Sequence, residues 1–314
     1  MSTGWSFRMN KRKICLWLLV IILFIILGIF LFKLYEGNTK NNVLPDSINL
    51  MYKEIGKNNS SYIVLNGEED TDNRIFVDFN LGDFSYSDGY IVAIETSNYQ
   101  GIYKINAEDG STNMIISREE INNWAKDNGY EKCGSVYQPQ ISVNDTERVY
   151  FELSLDGNLY VCEMENSQIR ILFETDSFSQ YTVSGDKNEV YGVSDGNVIC
   201  YDLVTGEKEI IVERPSDKWI SINRDGTEIA YQDDGLYLYN VESKIKTKIC
   251  DDERFTNKIV FSDDGKYMAY SVLHFGLFTT PDYGTLYVYN LQTGCIGRTI
   301  KLNNEGQTGY FDFF

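Results

Sequence analysis

Carboxylates are the one class of reactive side chain that this 314-residue chain carries in number. It has 46 Asp and Glu residues but only one histidine, His274. Glycosidases act through two carboxylates, so such a site is compatible with the composition, although no particular pair stands out. The GxSxG, HExxH and GxxxxGK[ST] motifs are all missing. The sequence therefore predicts no catalytic residue, no metal ligand and no cofactor.

Two further candidate sites are explained more simply by local structure. Asp263-Asp264 could hold a metal ion, but it precedes a glycine at a recurring position, which predicts a turn. His274 could serve a Ser-His-Asp arrangement, yet its aromatic surroundings favour local packing. Five cysteines lie beyond residue 35 without a CxxC pair, so buried free thiols are expected. They are Cys133, Cys162, Cys200, Cys250 and Cys295.

One sequence pattern recurs along the chain at nearly constant spacing. From Asn144 to Ser184, Asn223 and Ser262, the steps are 40, 39 and 39 residues. A fixed period of this size is typical of an array of similar supersecondary units. The copies cover residues 141–145, 181–185, 220–226 and 259–265, and an earlier copy begins at Phe84.

Each unit contains four short runs rich in Tyr, Val and Ile, separated by turn residues. Four strands in about 40 residues predict an all-β fold, a β-propeller of four-stranded blades. Five blades are readable, and strand-like segments remain at 61–66, 74–79 and 310–314. Because pairing of the two ends would remove open sheet edges, we predict six blades, the sixth built from both termini. Five and seven blades are alternatives that the spacing leaves open.

Two segments of the last unit resemble a known repeat. Residues 261–270, FSDDGKYMAY, look like the PD40 repeat of TolB-like propellers, with an Asp where the family usually has Pro. Residues 286–294, LYVYNLQTG, are similar to its second half. The resemblance extends over about residues 84–302 and implies the propeller fold. It implies no binding residues, because the matching positions are structural.

The N-terminal segment is unlike the rest of the chain. Four basic residues precede an uncharged run of 19 residues, 14–32, which spans about 28 Å as a helix. The run is too long for a cleavable signal peptide and is followed by no small-residue cleavage site. We predict a cytoplasmic basic tail (1–13), a transmembrane signal-anchor helix (14–34), a stalk with a helical turn near 48–55 (35–60) and a propeller ectodomain (61–314). The basic flank places the N-terminus in the cytoplasm and the propeller outside.

The predicted ectodomain is strongly acidic. All 46 acidic residues lie beyond Tyr35, together with 23 basic ones. This balance argues against nucleic acid as a partner, since nucleic acids bind basic surfaces. The composition, with one His, four Pro and 23 Tyr, favours a bacterial source.

Two departures from the repeat are candidates for function. Residues 117–130 read as a helical insertion, with Ser117 and Glu120 as a capping box. Residues 274–283 read as a long aromatic loop between the second and third strands of a blade. Blade topology places both on one face of the disc, together with the connection before residue 220. The predicted partner-binding face comprises Trp124, Trp219, His274, Phe275, Phe278 and Tyr283.

These features predict a membrane-anchored extracytoplasmic propeller that acts as a binding or scaffolding module at the cell envelope. The expected partners are the membrane, through residues 14–34, and a protein or cell-wall component. The alternative is a glycan-active hydrolase or lyase that uses carboxylates on the propeller face.

Overall fold

The computed structural model describes residues 50–55, 61–65, 74–96, 101–142, 147–176, 181–184, 188–213, 220–250, 255–275, 281–302 and 311–313. These residues contain 24 strands, which pair into six antiparallel sheets of four, and the helix α1, Arg118–Asp127. The predicted all-β, six-bladed propeller is confirmed.

The strands follow one another with few interruptions. In chain order they are β1 (Leu50–Ile55), β2 (Ser61–Leu65), β3 (Arg74–Val77), β4 (Leu81–Ser87), β5 (Tyr90–Glu95), β6 (Gly101–Asn106), β7 (Thr112–Ser117), β8 (Cys133–Ile141), β9 (Val149–Leu155), β10 (Asn158–Glu165), β11 (Gln168–Thr175), β12 (Tyr181–Val183), β13 (Glu189–Ser194), β14 (Asn197–Asp202), β15 (Lys208–Val212), β16 (Ile220–Ile222), β17 (Glu228–Gln232), β18 (Leu236–Asn240), β19 (Lys246–Cys250), β20 (Phe255–Phe261), β21 (Tyr267–Phe275), β22 (Pro281–Asn290), β23 (Cys295–Leu302) and β24 (Phe311–Phe313). Blades 1 to 5 are the successive groups of four from β4 to β23, and blade 6 is β24-β1-β2-β3.

Blade 6 closes the ring because its strands come from both ends of the described chain. β24 pairs antiparallel with β1, so that Leu50 lies opposite Phe313 and Tyr52 opposite Phe311. Its innermost position brings β24 against β20 on one side and β4 on the other. The innermost strands of all six blades thereby surround a central channel.

The cores lie between adjacent blades. Phe311 and Phe313 of β24 are buried in one such core together with Leu50, Val260 and Leu286. This arrangement follows from the period of two in a strand, which sends alternate side chains to opposite faces of each sheet. A blade alone would expose both faces, so neighbouring blades stabilise one another.

Asn and Asp residues shape the turn between the third and fourth strands of several blades. The side-chain oxygen of Asn290 accepts hydrogen bonds from the backbone N–H groups of Gln292 and Thr293, both at 2.9 Å. Asp202 makes equivalent bonds in blade 3. Such Asx turns bend the chain locally, which explains why the repeat shows polar residues at fixed offsets.

The Asp-Gly turns of the repeat are structural, as the sequence indicated. At Asp195-Gly196 both φ angles are positive, as a two-residue type I′ hairpin requires. Asp264, the second residue of the pair considered above for metal binding, accepts from Ser262 Oγ at 2.7 Å and from the N–H of Lys266 at 3.1 Å. Its carboxylate holds the turn together.

The prediction of a stalk with a helical turn near 48–55 was wrong for residues 50–55. These residues form β1, whose Leu50 and Met51 are fully buried. Short apolar segments do not distinguish helix from strand by their own pattern. The pairing with β24, which lies about 260 residues away in the chain, determines this strand.

The predicted aromatic loop 274–283 is largely strand. β21 extends to Phe275 and β22 begins at Pro281, with His274 opposite Tyr283. Backbone pairing therefore continues from the blade into this segment, and only 276–280 lie outside the described residues.

The predicted tail, anchor and residues 35–49 also lie outside the described residues. Within the part of the chain that the structure describes, no helix has the length and hydropathy needed to cross a bilayer.

Ring closure gives a first testable prediction. Deleting residues 310–314 removes β24, which takes away the paired neighbour of β1 and one of the packing neighbours of β20 and of β4. We therefore expect loss of cooperative unfolding, measured by circular dichroism against urea. Removal of residues 1–5 serves as the truncation control. An unchanged unfolding midpoint in the C-terminal truncation would contradict closure through β24.

Candidate functional site

A cavity of about 130 Å³ lies in the central channel. Residues on, or directly after, all six innermost strands line it. We call this space the channel cavity. We call the face where the innermost strands of blades 1 to 5 begin the upper face, and the opposite one the lower face. The charged side chains of the lining are Asp83, Arg224, Lys258, Asp263 and Asp312.

An acid–base pair lies toward the upper end of the channel cavity. Lys258 Nζ lies 3.7 Å from Asp83 Oδ1, and both side chains are only 15% exposed. Lys258 also donates to the carbonyl oxygen of Phe84 at 2.5 Å. Burial raises the pKa of Asp83, while the positive charge of Lys258 opposes that shift. The pair therefore joins β20 to β4 near β24.

Asp312 is the channel-lining carboxylate of the closing strand. Its Oδ2 accepts from the backbone N–H of Tyr86 at 3.0 Å, and its Oδ1 accepts from Phe313 N–H at 2.9 Å. Burial raises the pKa of Asp312 to about 6, although Lys258 and both N–H groups favour the charged form. The nearby charge of Asp263 also raises it. Asp312 thus bonds β24 to β4 while its charge remains poorly compensated.

The lower end of the channel cavity has a second pair of opposite charges. Arg224 follows β16 and Asp263 follows β20. Burial raises the pKa of Asp263, while the attraction of Arg224 opposes that shift. Ser184 Oγ donates to the carbonyl of Arg224 at 3.1 Å, which links the connections that follow β12 and β16.

Polar side chains hold the innermost strands at their spacing. Gln140 of β8 donates from Nε2 to the carbonyl of Tyr181 at 2.9 Å and accepts from Val183 N–H at 3.1 Å. Ser85 Oγ accepts from Ile141 N–H at 3.2 Å. Gln138 has a φ of 42° at an irregularity in β8, and its carbonyl accepts from Tyr181 Oη. This left-handed backbone is uncommon for a residue other than glycine, and it lies against the cavity.

The predicted helical insertion is present and packs against the propeller. Ser117 is its N-cap, and its side chain and that of Glu120 form the predicted capping box. Ile121 and Ala125 are buried. Trp124 packs partly buried against the same core, with its ring 6.4 Å from that of Tyr130. Much of this indole therefore helps to pack the helix against the propeller.

The helix joins β7 to β8, and β21 leads into β22, so α1 and the adjoining ends of β21 and β22 belong to the upper face. In an antiparallel meander these connections emerge on one side. His274 and Tyr283 are a cross-strand pair, and Phe275 lies opposite Pro281. Trp219 and Phe278 lie outside the described residues.

Two of the cysteines, Cys133 and Cys200, are poor nucleophiles. Burial raises the pKa of Cys133 and raises that of Cys200 to about 11, and low thiolate content goes with low reactivity. No group of three His, Cys, Asp or Glu side chains within the described ranges could hold a metal ion.

Among the comparisons with known proteins, the one with solved structures found matches. No protein-family model matches the chain, and no curated protein sequence does so either. A crystal structure of TolB from Acinetobacter baumannii matches with a TM-score of 0.62 and 13% identity, over 87% of this chain and 68% of that one. The propeller is TolB-like. A structure of a nidogen/laminin complex matches with a TM-score of 0.58 and 11% identity, over 85% of this chain and 98% of that chain.

These likenesses confirm the TolB-like resemblance for the fold, and at such low identity they concern the fold alone. The charged residues of the channel cavity were not predicted from the sequence. One signal was available: the residue after the first core position is Thr182 in β12 and Ser221 in β16, whereas β24 has Asp312. That charge stands out only when the closing strand is aligned with other innermost strands.

The raised pKa of Asp312 predicts a pH-dependent stability. Since the folded state binds this proton more tightly than the unfolded chain does, the stabilisation is complete below pH 4 and is lost as the pH rises toward about 6. D312N should remove this pH-dependent loss, which amounts to up to about 3 kcal/mol between pH 4 and pH 7.5. At both pH values the amide should also lower the free energy of unfolding by about 1–3 kcal/mol, because its NH₂ group cannot accept a backbone hydrogen bond. Urea unfolding of both proteins at the two pH values measures this.

The matched control is E209Q, the corresponding carboxylate-to-amide replacement on the exposed outermost strand β15. Parallel pH profiles for wild type and D312N would show that the Asp312 proton does not contribute to stability.

Proposed function

We propose that this chain is a binding module of the cell envelope. In this proposal, residues 14–34 anchor it in the membrane and the propeller lies on the extracytoplasmic side. The upper face and the channel cavity bind a protein or cell-wall partner. The observation that carries the proposal is the channel cavity, which is lined by five charged side chains. Sites of this kind, concave with a few converging polar groups, are typical of ligand binding.

The fold does not require charges at these positions. Thr182 and Ser221 occupy the position of Asp312 in β12 and β16. A charged group in a low-dielectric channel disfavours folding unless it is paired. Residues that are retained against such a cost are more often functional than residues of a periodic core.

The membrane part of the proposal is supported by sequence alone. The uncharged run of 19 residues has the length of a bilayer crossing, and its basic flank favours the cytoplasm. With this orientation the acidic propeller faces the envelope.

A carboxylate-based glycan hydrolase or lyase is the second candidate. The observation that favours it is the presence of Asp83, Asp263 and Asp312 in one cavity. A carboxyl group with a raised pKa could act as a general acid. Both oxygens of Asp312 already accept backbone hydrogen bonds, however, and this occupies the group that would have to donate the proton.

Blocking the channel tests the binding proposal. T182W places an indole in the cavity wall, whereas T247W adds the same indole to the exposed outermost strand β19. We expect the immobilised full-length chain and T247W to capture a partner from solubilised cell envelopes, and T182W to lose at least about nine-tenths of that capture.

Both variants are compared only after each shows cooperative unfolding. Equal capture by T182W and T247W would contradict a role for the channel. Recovery of wall glycan that is cleaved during the assay would favour the hydrolase instead.

The predicted aromatic face is tested separately. Alanine replacements at Trp124, Phe275, Phe278 and Tyr283 should each reduce partner capture several-fold, because aromatic anchors dominate many interfaces. Binding by immobilised wild type and variants is compared at equal amounts of folded protein. Undiminished capture by all four variants would exclude this face from the interface.

A further inference from the structure

The described residues that line the channel cavity include one more carboxylate than cationic groups. Asp83, Asp263 and Asp312 line it, together with Lys258 and Arg224. Lys258 forms an ion pair with Asp83, and Arg224 attracts Asp263. For Asp312, no basic nitrogen of the described residues lies within the 4 Å of an ion pair. The two cations therefore leave one negative charge in excess.

The elements packed around Asp312 supply no further nearby cation. From β20 and its following turn, Lys258 and Asp263 act on it with opposite signs. From β4 come Asp83, already paired, and the backbone N–H of Tyr86. From β1, Lys53 donates instead to Asn80 Oδ1 at 3.2 Å and to the carbonyl of Leu81. The charge of Lys53 acts on Asp83, so Asp312 has no ion-pair partner of its own among the described residues, and a cationic ligand would supply one.

A metal ion does not fit this requirement. Among the described residues, no three acidic, His or Cys groups stand close enough to hold one. An anion would meet a cavity with excess negative charge in a chain whose net charge is −18. An organic cation, which can reach a single carboxylate, satisfies the charge.

The apolar residues that line the cavity indicate which kind of organic cation fits. Val183, Ile222 and Val260 line the cavity beside the charged groups. Lysine and arginine side chains combine an apolar stem with a charged head. A cavity of 130 Å³ has the volume of about four water molecules, so it admits one side chain and no folded segment.

We infer that the channel cavity binds a single lysine or arginine side chain of a partner protein, with the cationic head at Asp312 and the stem against Val183, Ile222 and Val260. This inference rests on the proposed function, and it specifies the group by which the partner is recognised.

The probes are the blocked tripeptides acetyl-Gly-Lys-Gly-amide and acetyl-Gly-Arg-Gly-amide, with acetyl-Gly-Gln-Gly-amide as the uncharged control. Their binding to the full-length chain in detergent is measured by saturation-transfer NMR. We expect the Lys or Arg peptide to bind at least about tenfold more tightly than the Gln peptide. D312N should reduce that binding about tenfold, the usual size of a hydrogen bond to a charged group. E209Q, on the exposed outermost strand β15, should bind like wild type.

A pH series adds a readout that a change of fold would not give. A cation at Asp312 favours the ionised carboxylate, so affinity of wild type should fall as the pH drops from 7 to 5, because Asp312 has a pKa of about 6. The weaker binding of D312N should show a smaller pH dependence.

Equal binding of the Gln and Lys peptides, or unchanged binding by D312N, would overturn the inference. So would stronger, Asp312-dependent binding of a chitosan oligomer, since the cation would then belong to an amino sugar. If the T182W variant loses partner capture while no cationic peptide binds, the proposed function stands and this inference fails alone.

Discussion

The pairing of β24 with β1 is the constraint on which the rest of the structure depends. Each blade buries its apolar faces only against its neighbours, so the ring must be complete before any blade is fully stabilised. The closing strand has just three described residues, Phe311–Phe313. Phe311 and Phe313 supply its core contacts, and Asp312 bonds it to β4. A short segment therefore closes the ring through several interactions.

The position of Asp312 joins structure to function. Its hydrogen bonds to Tyr86 and Phe313 hold the closing strand, yet its charge lies in a channel that raises its pKa to about 6. A serine or threonine at that place, as in β12 and β16, would not carry this electrostatic cost. Stability and the proposed ligand recognition would thus make opposite demands on one residue, a conflict commonly found at functional sites.

Local features were predictable from the sequence because local interactions produce them. The capping box of Ser117 and Glu120 spans three residues, and the Asp195-Gly196 hairpin only two. Both were visible without knowledge of the fold. The 39–40 residue period likewise reported turns and core positions that each blade forms in the same way.

Long-range features were not predictable in this manner. The bond between Asp312 and Tyr86 joins residues 226 positions apart. The strand β1 was assigned to a stalk because its partner β24 lies at the other end of the chain. Even the pair of Asp83 and Lys258 depends on β24 being in place between their blades. No local pattern contains these relationships.

A departure from a repeat can therefore be an insertion or a substitution, and a different comparison detects each. Insertions such as α1 change the spacing, so a count along the chain finds them. Substitutions such as Asp312 preserve the spacing and change only chemistry, so they emerge when the innermost strands are superposed around the channel. The insertion contributes Ile121 and Ala125 to a core, and much of Trp124 packs there as well. The substitution places a carboxylate without an ion pair among the described residues in the channel cavity, where we propose that a ligand binds. For that proposal, the charge in the channel is a stronger guide than the insertion.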